Sequence, residues 1–232
     1  MKEFVHRDPA ISFLMLFPLA LIHLSGYADA NLEAVSWILK FLSITSPYSF
    51  YVLLGSLFIL IFWSLGRIVN LGLPWRGSAL TIFAEGFFWS VILGPFLGFL
   101  QEWLSDVTLP LSIMPFSGHT ELAIAAGAGL YEEIIFRLIL FGGLLLWFKS
   151  LFGIFWSDSL AQWLGVILAI LISSFLFAYA HGWAGDESAH DFGPMLFRTL
   201  AGMAFSLIFL FRGIAVCAYA HFAYDAMLLL KS

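Results

Sequence analysis

ELAIAAGAGLYEEIIFRLILFGGLLLWF, residues 121–148, decides the fold class. At 1.5 Å per residue its 28 residues form about 42 Å of helix, more than a hydrocarbon core of roughly 30 Å, so the helix is tilted or projects beyond the bilayer. Glu132, Glu133 and Arg137 lie inside this apolar run. Ionisable side chains are costly in hydrocarbon, so their recurrence there marks a functional site.

The surrounding sequence agrees. The chain has 232 residues, 62% of them hydrophobic and only 11% charged, with a mean hydropathy of +0.98. A soluble domain of this size could not cover so much apolar surface, which implies an all-α polytopic membrane helical bundle with the lipid bilayer as its main partner. The 26 phenylalanines and 9 tryptophans suit lipid-facing and interfacial positions. Seven transmembrane spans are predicted, over 11–27, 49–69, 78–100, 121–148, 160–181, 194–211 and 214–231. Ser46-Pro47, Leu73-Pro74 with Gly77, and Pro110 with Pro115 break the gaps. Arg212-Gly213 implies a tight helical hairpin between the last two spans. With no linker or internal repeat, residues 1–232 are read as a single domain. A net charge of −5 without a basic run argues against a nucleic-acid partner. The single cysteine, Cys217, cannot form an internal disulfide and is read as a small core residue.

Lys2, Arg7, the following apolar run and Ala28-x-Ala30 resemble a cleavable signal peptide. The run from Ile11 to Leu24 is near the upper length for one, so an uncleaved anchor is expected. With the N-terminus inside, Lys2, Arg7, Arg67, Arg76, Lys149 and Arg212 fall on the inner side and Lys40, Arg198 and Lys231 on the outer side. The positive-inside rule then sets the N-terminus in and the C-terminus out.

Glu133 and Arg137 are four residues apart and share a helical face, in the favourable order for an ion pair. In a regular α-helix Glu132 is rotated by about 100° from Glu133 and lies further from Arg137. Arg137 is therefore expected to neutralise Glu133, leaving Glu132 as the free carboxylate, available to a water molecule as a general base. A purely structural ion pair joining helices would account for Glu133 and Arg137, but not for Glu132.

Two later spans each carry a histidine with a partner one turn away: Phe177-x-x-x-His181 and His221-x-x-x-Asp225. With Glu132 they supply a base, an imidazole to share the water and a donor for a developing oxyanion. Two histidines and a glutamate could instead ligate zinc, but neither His-x-x-x-His nor His-Glu-x-x-His occurs. His6, His23, His119 and His190 lie near termini or connections and are read as incidental. No Gly-x-Ser-x-Gly is present, and Ser173-Ser174 are expected to bond helix carbonyls. Asp186, Glu187, His190 and Asp191 are read as a solvated acidic loop.

These three motifs, in this order on late apolar helices, resemble the CPBP group, the CAAX-processing and bacteriocin-processing glutamic intramembrane proteases also called the Abi family. The resemblance covers roughly residues 121–231, the motif-bearing core. It implies metal-independent hydrolysis of a peptide bond, with no cofactor, in a membrane-associated protein or peptide. A C-terminal sorting or anchor segment is one candidate substrate, and a bacterial cytoplasmic membrane is the expected location. Glu132 and His181 would activate the water, His221 and Asp225 would stabilise the oxyanion, Glu133 and Arg137 would support the site, and Phe177 would shape it. The motif of prenyl-protein members typically ends in asparagine. Asp225 cannot donate a hydrogen bond unless protonated, and its alternative role is to orient His221.

A non-catalytic bacteriocin-immunity or partner-binding protein of the same fold, a zinc-dependent membrane protease and a small proton-coupled transporter are the competing readings. No inverted repeat or pair of broken helices supports transport. Oligomeric state, substrate identity and cut site are not legible in the sequence.

Overall fold

Small residues decide where these helices cross. Between helices in lipid there is little hydrophobic driving force, so association depends on close packing, and glycine or alanine at a crossing lets two backbones approach. The computed structural model describes residues 8–26, 49–103, 118–155, 158–181 and 191–229. Among them it shows seven helices and no strand: α1 (Pro9–Gly26), α2 (Ser49–Leu71), α3 (Trp75–Trp103), α4 (Gly118–Phe152), α5 (Asp158–Ala180), α6 (Phe192–Arg212) and α7 (Ile214–Leu229). Five of these, α1, α3, α4, α5 and α6, are long and apolar enough to cross a membrane; α7 and the 58–71 part of α2 are shorter apolar helices. The chain is a polytopic helical membrane protein. Each of the seven expected spans corresponds to one helix, with ends shifted by a few residues.

The last helix is the hub. It packs on α3, α4, α1 and α6, and every residue from Ile214 to His221 is buried. The glycines beside it are placed accordingly. A Cβ on Gly129 of α4 would stand 2.7 Å from the Ala218 carbonyl oxygen and 2.9 Å from the Phe222 nitrogen. One on Gly86 of α3 would meet the Tyr219 Cβ at 2.5 Å. The first helix is equally part of the bundle. Ile11 and Leu19 are wholly buried, Gly26 abuts Ala123, and the Met15 carbonyl accepts the Tyr219 hydroxyl at 2.8 Å. His23, expected to be incidental, is buried and lies with Nδ1 2.9 Å from the Ala123 carbonyl oxygen, tying α1 to α4.

Outward-facing positions are large and apolar, such as Phe62, Val69 and Leu80, as lipid contact requires. The expected tight connection is there: a single residue, Gly213, separates α6 from α7 at φ 88°, a conformation that costs glycine little. Arg212 beside it forms an ion pair with Glu85 of α3.

One local feature was not expected. Over Ala128–Phe141 the backbone of α4 runs in wide π turns, with the Gly142 amide donating to the Arg137 carbonyl five residues back. Such turns are rare and concentrate at functional sites. This segment carries Glu132, Glu133 and Arg137.

Candidate active site

The site is built on four helices. From α4 come the two glutamates and the arginine, from the end of α5 Phe177 and His181, and from α7 His221 and Asp225. From α6 comes an aromatic wall at Phe205. Phe177, Phe205, His221 and Asp225 stand in regular α-helix, whereas His181 lies one residue past the end of α5.

Glu133 is the buried centre. Its side chain is fully enclosed, and Oε1 lies 3.1 Å from Arg137 Nη1, the expected pair one turn away. The same oxygen is 2.7 Å from His221 Nδ1. A carboxylate ionised beside a guanidinium can only accept, so Nδ1 carries the proton and points at Glu133. The other oxygen, Oε2, accepts the Cys217 thiol at 2.9 Å. Arg137 in turn lies over the Phe177 ring, 4.2 Å from its centroid, and 5.4 Å from that of Phe205. The buried charges are thus held between two aromatic faces, as cation–π attraction favours.

Glu132 faces the other way round the same imidazole. Its Oε2 is 3.9 Å from His221 Nε2, while Asp225 Oδ2 is 3.4 Å from that nitrogen. The regular-helix reading assigned only Glu133 a specific partner, Arg137. In the π-turn segment both neighbouring glutamates approach α7, one at each nitrogen of His221. Phe205 stacks on the His221 ring at 4.4 Å.

His181 sits just past the end of α5 with Nδ1 2.8 Å from the Phe177 carbonyl oxygen. A carbonyl can only accept, so Nδ1 donates and Nε2 keeps its lone pair in the neutral ring. Phe177 packs edge-on against His181 and against Phe136, with centroids 4.8 and 5.4 Å away.

Glu132, Phe177, His181, His221 and Asp225 all line one cavity of about 280 Å³. Its remaining walls are mainly apolar, with Ile124 from α4, Phe197 from α6 and Leu228 from α7, and one cation, Arg198. Among the described residues no three His, Cys, Asp or Glu side chains are grouped so as to hold a metal ion.

Three participants escaped the sequence reading. Cys217 was taken for plain core, although its place one turn before His221 could have flagged it. Phe205 carries no local signal. Arg198 was counted with the outer connections, but it is buried within α6, at 9% exposure, in the cavity wall. The acidic loop lies outside the described residues over 186–190; Asp191 is exposed and immediately precedes α6. Ser173 donates to the Ile170 carbonyl, as expected of a serine in an apolar helix, whereas the buried Ser174 hydroxyl has no hydrogen-bond partner among the described residues, contrary to expectation.

Residues 120–227, from the first turns of α4 to near the end of α7, match the family model described as type II CAAX prenyl endopeptidase Rce1-like. Residues 120–227 thus form an Rce1-like domain of the CPBP group. No curated protein and no solved structure matches it. At the level of the family, this domain and the five apolar helices support an intramembrane endopeptidase acting on a protein substrate. The Rce1-like segment contains all three motifs, whereas α1, α2 and α3 lie outside it.

Proposed function

We propose that the chain is a glutamic-type intramembrane protease that hydrolyses a membrane-associated protein or peptide with a water activated by Glu132 and His181, without a resident metal or cofactor. The observation that carries this reading is the meeting of Glu132, His181, His221 and Asp225 on one cavity. In the proposed reaction Glu132 takes a proton from water as His181 Nε2 accepts a hydrogen bond from the same molecule. The water oxygen bonds to the scissile carbonyl carbon, and the carbonyl π electrons move to its oxygen. His221 Nε2 donates to that oxyanion. Because Nδ1 already donates to Glu133, this requires a doubly protonated imidazolium, whose charge Asp225 and Glu132 face. The C–N bond then breaks as the tetrahedral centre collapses, and the leaving nitrogen takes the proton held on Glu132. Asp225 acts in this scheme as a counter-charge beside the imidazolium, so it needs no proton of its own where prenyl-protein members typically carry asparagine.

Glu132→Gln keeps the side-chain shape and removes the base. It should lower turnover of a cleaved substrate by about 10²–10⁴-fold with unchanged expression and thermal unfolding in detergent. Parental activity in that variant would remove Glu132 from the mechanism. Exhaustive chelation should leave wild-type turnover intact, and loss restored by added zinc would favour a metalloprotease instead.

The N-terminus is proposed to lie inside a bacterial cytoplasmic membrane and the C-terminus outside. The cavity lies among residues near the start of α4, the end of α5, the start of α6 and the end of α7, which in this orientation is the outer half. Cysteine placed at Ser188 in a Cys217→Ser background should be labelled by an impermeant thiol reagent in intact spheroplasts. Labelling only after lysis would reverse the orientation and move the substrate to the cytosolic side.

A further inference from the structure

The reaction above gives the oxyanion one hydrogen-bond donor, and the cavity wall holds a group able to supply a second. An oxyanion can accept from two donors at once, and donors fixed in place before the reaction stabilise it most. The polar side chains that line the cavity among the described residues divide by what they can do. Glu132 and Asp225 are carboxylates, which only accept when ionised. His181 turns Nδ1 to the Phe177 carbonyl, which leaves Nε2 to receive the water. Arg198 can donate, but it stands seven positions before Phe205 on α6, which is about 10 Å of helix. Phe205 is the residue stacked on His221, so Arg198 belongs to a different part of the wall. Tyr224 remains, and it lines the same cavity.

Its place on α7 suits the role. Tyr224 follows His221 by three positions and Asp225 follows it by four. In an α-helix both positions neighbour His221, one on either side of its face. Long helical side chains lean back toward the N-terminus, over the turn before their own Cα. Asp225 follows this rule, with Oδ2 3.4 Å from His221 Nε2. Tyr224 has the same turn beneath it and a longer side chain. It is 9% exposed, so packing holds the ring. Its hydroxyl makes no hydrogen bond to another described residue. The other tyrosine of α7 differs, because the Tyr219 hydroxyl donates to the Met15 carbonyl of α1 at 2.8 Å.

We propose that Tyr224 is a further catalytic residue, whose hydroxyl hydrogen-bonds the scissile carbonyl oxygen as a second oxyanion donor beside His221 Nε2. This rests on the hydrolytic reading above, because that reaction forms the oxyanion. As the water oxygen bonds to the carbonyl carbon and the π electrons move to the carbonyl oxygen, both donors hold that oxygen. The phenol keeps its proton throughout, and Glu132 alone carries a proton from the water to the leaving nitrogen. Being neutral, the phenol strengthens the oxyanion site without adding a second cation beside the imidazolium.

The test removes one oxygen atom. Tyr224→Phe keeps the ring and loses only the hydroxyl. Full-length protein in nanodiscs is assayed with a quenched fluorogenic peptide carrying a prenylated cysteine, and the bond cut is located by mass spectrometry. The variant should lose about 10²-fold in kcat, as when one oxyanion donor is removed, with KM and thermal unfolding unchanged. A phosphinate analogue of the peptide, tetrahedral and anionic at the cut bond, should lose affinity for the variant in the same proportion as kcat/KM falls. Tyr219→Phe should do the reverse, lowering the unfolding temperature and leaving kcat near the parental value. Parental kcat in Tyr224→Phe overturns the proposal, as does undiminished binding of the phosphinate. So does a fall in kcat matched by a fall in thermal stability, which would make Tyr224 a packing residue like Tyr219. Glu132→Gln is assayed alongside. If it is inactive while Tyr224→Phe is not, the second donor alone fails. If it cleaves at the parental rate, the hydrolytic reading fails and this proposal with it.

Discussion

Among the described residues two glutamate–arginine pairs brace this bundle, and they differ in what else they touch. Glu85 and Arg212 join α3 to the turn between α6 and α7, with side chains about a quarter exposed (23% and 30%). Glu133 and Arg137 are wholly enclosed (0% and 1%). Among the described residues the first pair involves two helices and ends there. In the second, the carboxylate also receives His221 Nδ1 and the Cys217 thiol, and the guanidinium packs on Phe177. Taking charges out of water is repaid only when every lone pair and proton finds a partner. A fully buried pair with three further partners, one of them a histidine on the cavity, sets the geometry of a site. A partly exposed pair with no further partner among the described residues fastens a corner.

The sharpest way to break this contrast is to remove one charge from each pair. Arg137→Met leaves Glu133 uncompensated and should cost about 3–5 kcal/mol, read as a large fall in thermal stability in detergent, with activity lost as His221 loses its anchor. If the variant were as stable as the parent, the enclosed pair would be no more than the exposed one. A middle effect is expected from Gly129→Ala. The added methyl would press on backbone atoms of Ala218 and Phe222, which cannot swing aside, so about 1–3 kcal/mol of overpacking strain is expected. Because this crossing sets the distance from Glu132 and Glu133 to His221, turnover should fall further than stability, and an equal fall in both would assign the crossing a packing role alone. The smallest effect belongs to the corner. Glu85→Gln should cost no more than about 1 kcal/mol, since partly exposed pairs are weak, and per-molecule activity should stay within twofold of the parent. A larger loss of activity would tie the α6–α7 turn to the site.

Much of this was readable in the chain. The 28-residue run around Glu132 announced a membrane helix, and the i, i+4 spacing announced the Glu133–Arg137 pair that is found at 3.1 Å. Phe177 with His181, and His221 with Asp225, were likewise legible as one-turn neighbours, and both pairs are in contact. The Rce1-like segment over 120–227 contains all three motifs.

What the spacing could not reveal lies between helices. Glu133 meets His221 across 88 positions of sequence, and Arg198 enters the same cavity from a helix that seemed to begin with a surface charge. The wide turns of Ala128–Phe141 also have no evident mark in the residue pattern. The sequence by itself determined that the chain is a helical membrane protein and which side chains share a helical face, because both follow from composition and from a repeat local to one helix. Only the tertiary structure decided which glutamate meets which nitrogen of His221, and that Arg198 lines the same cavity. Those contacts depend on where helices cross, and the crossings are set by close approach at positions such as Gly129 and Gly86, where the identity of the opposing residue appears only once the chain has folded.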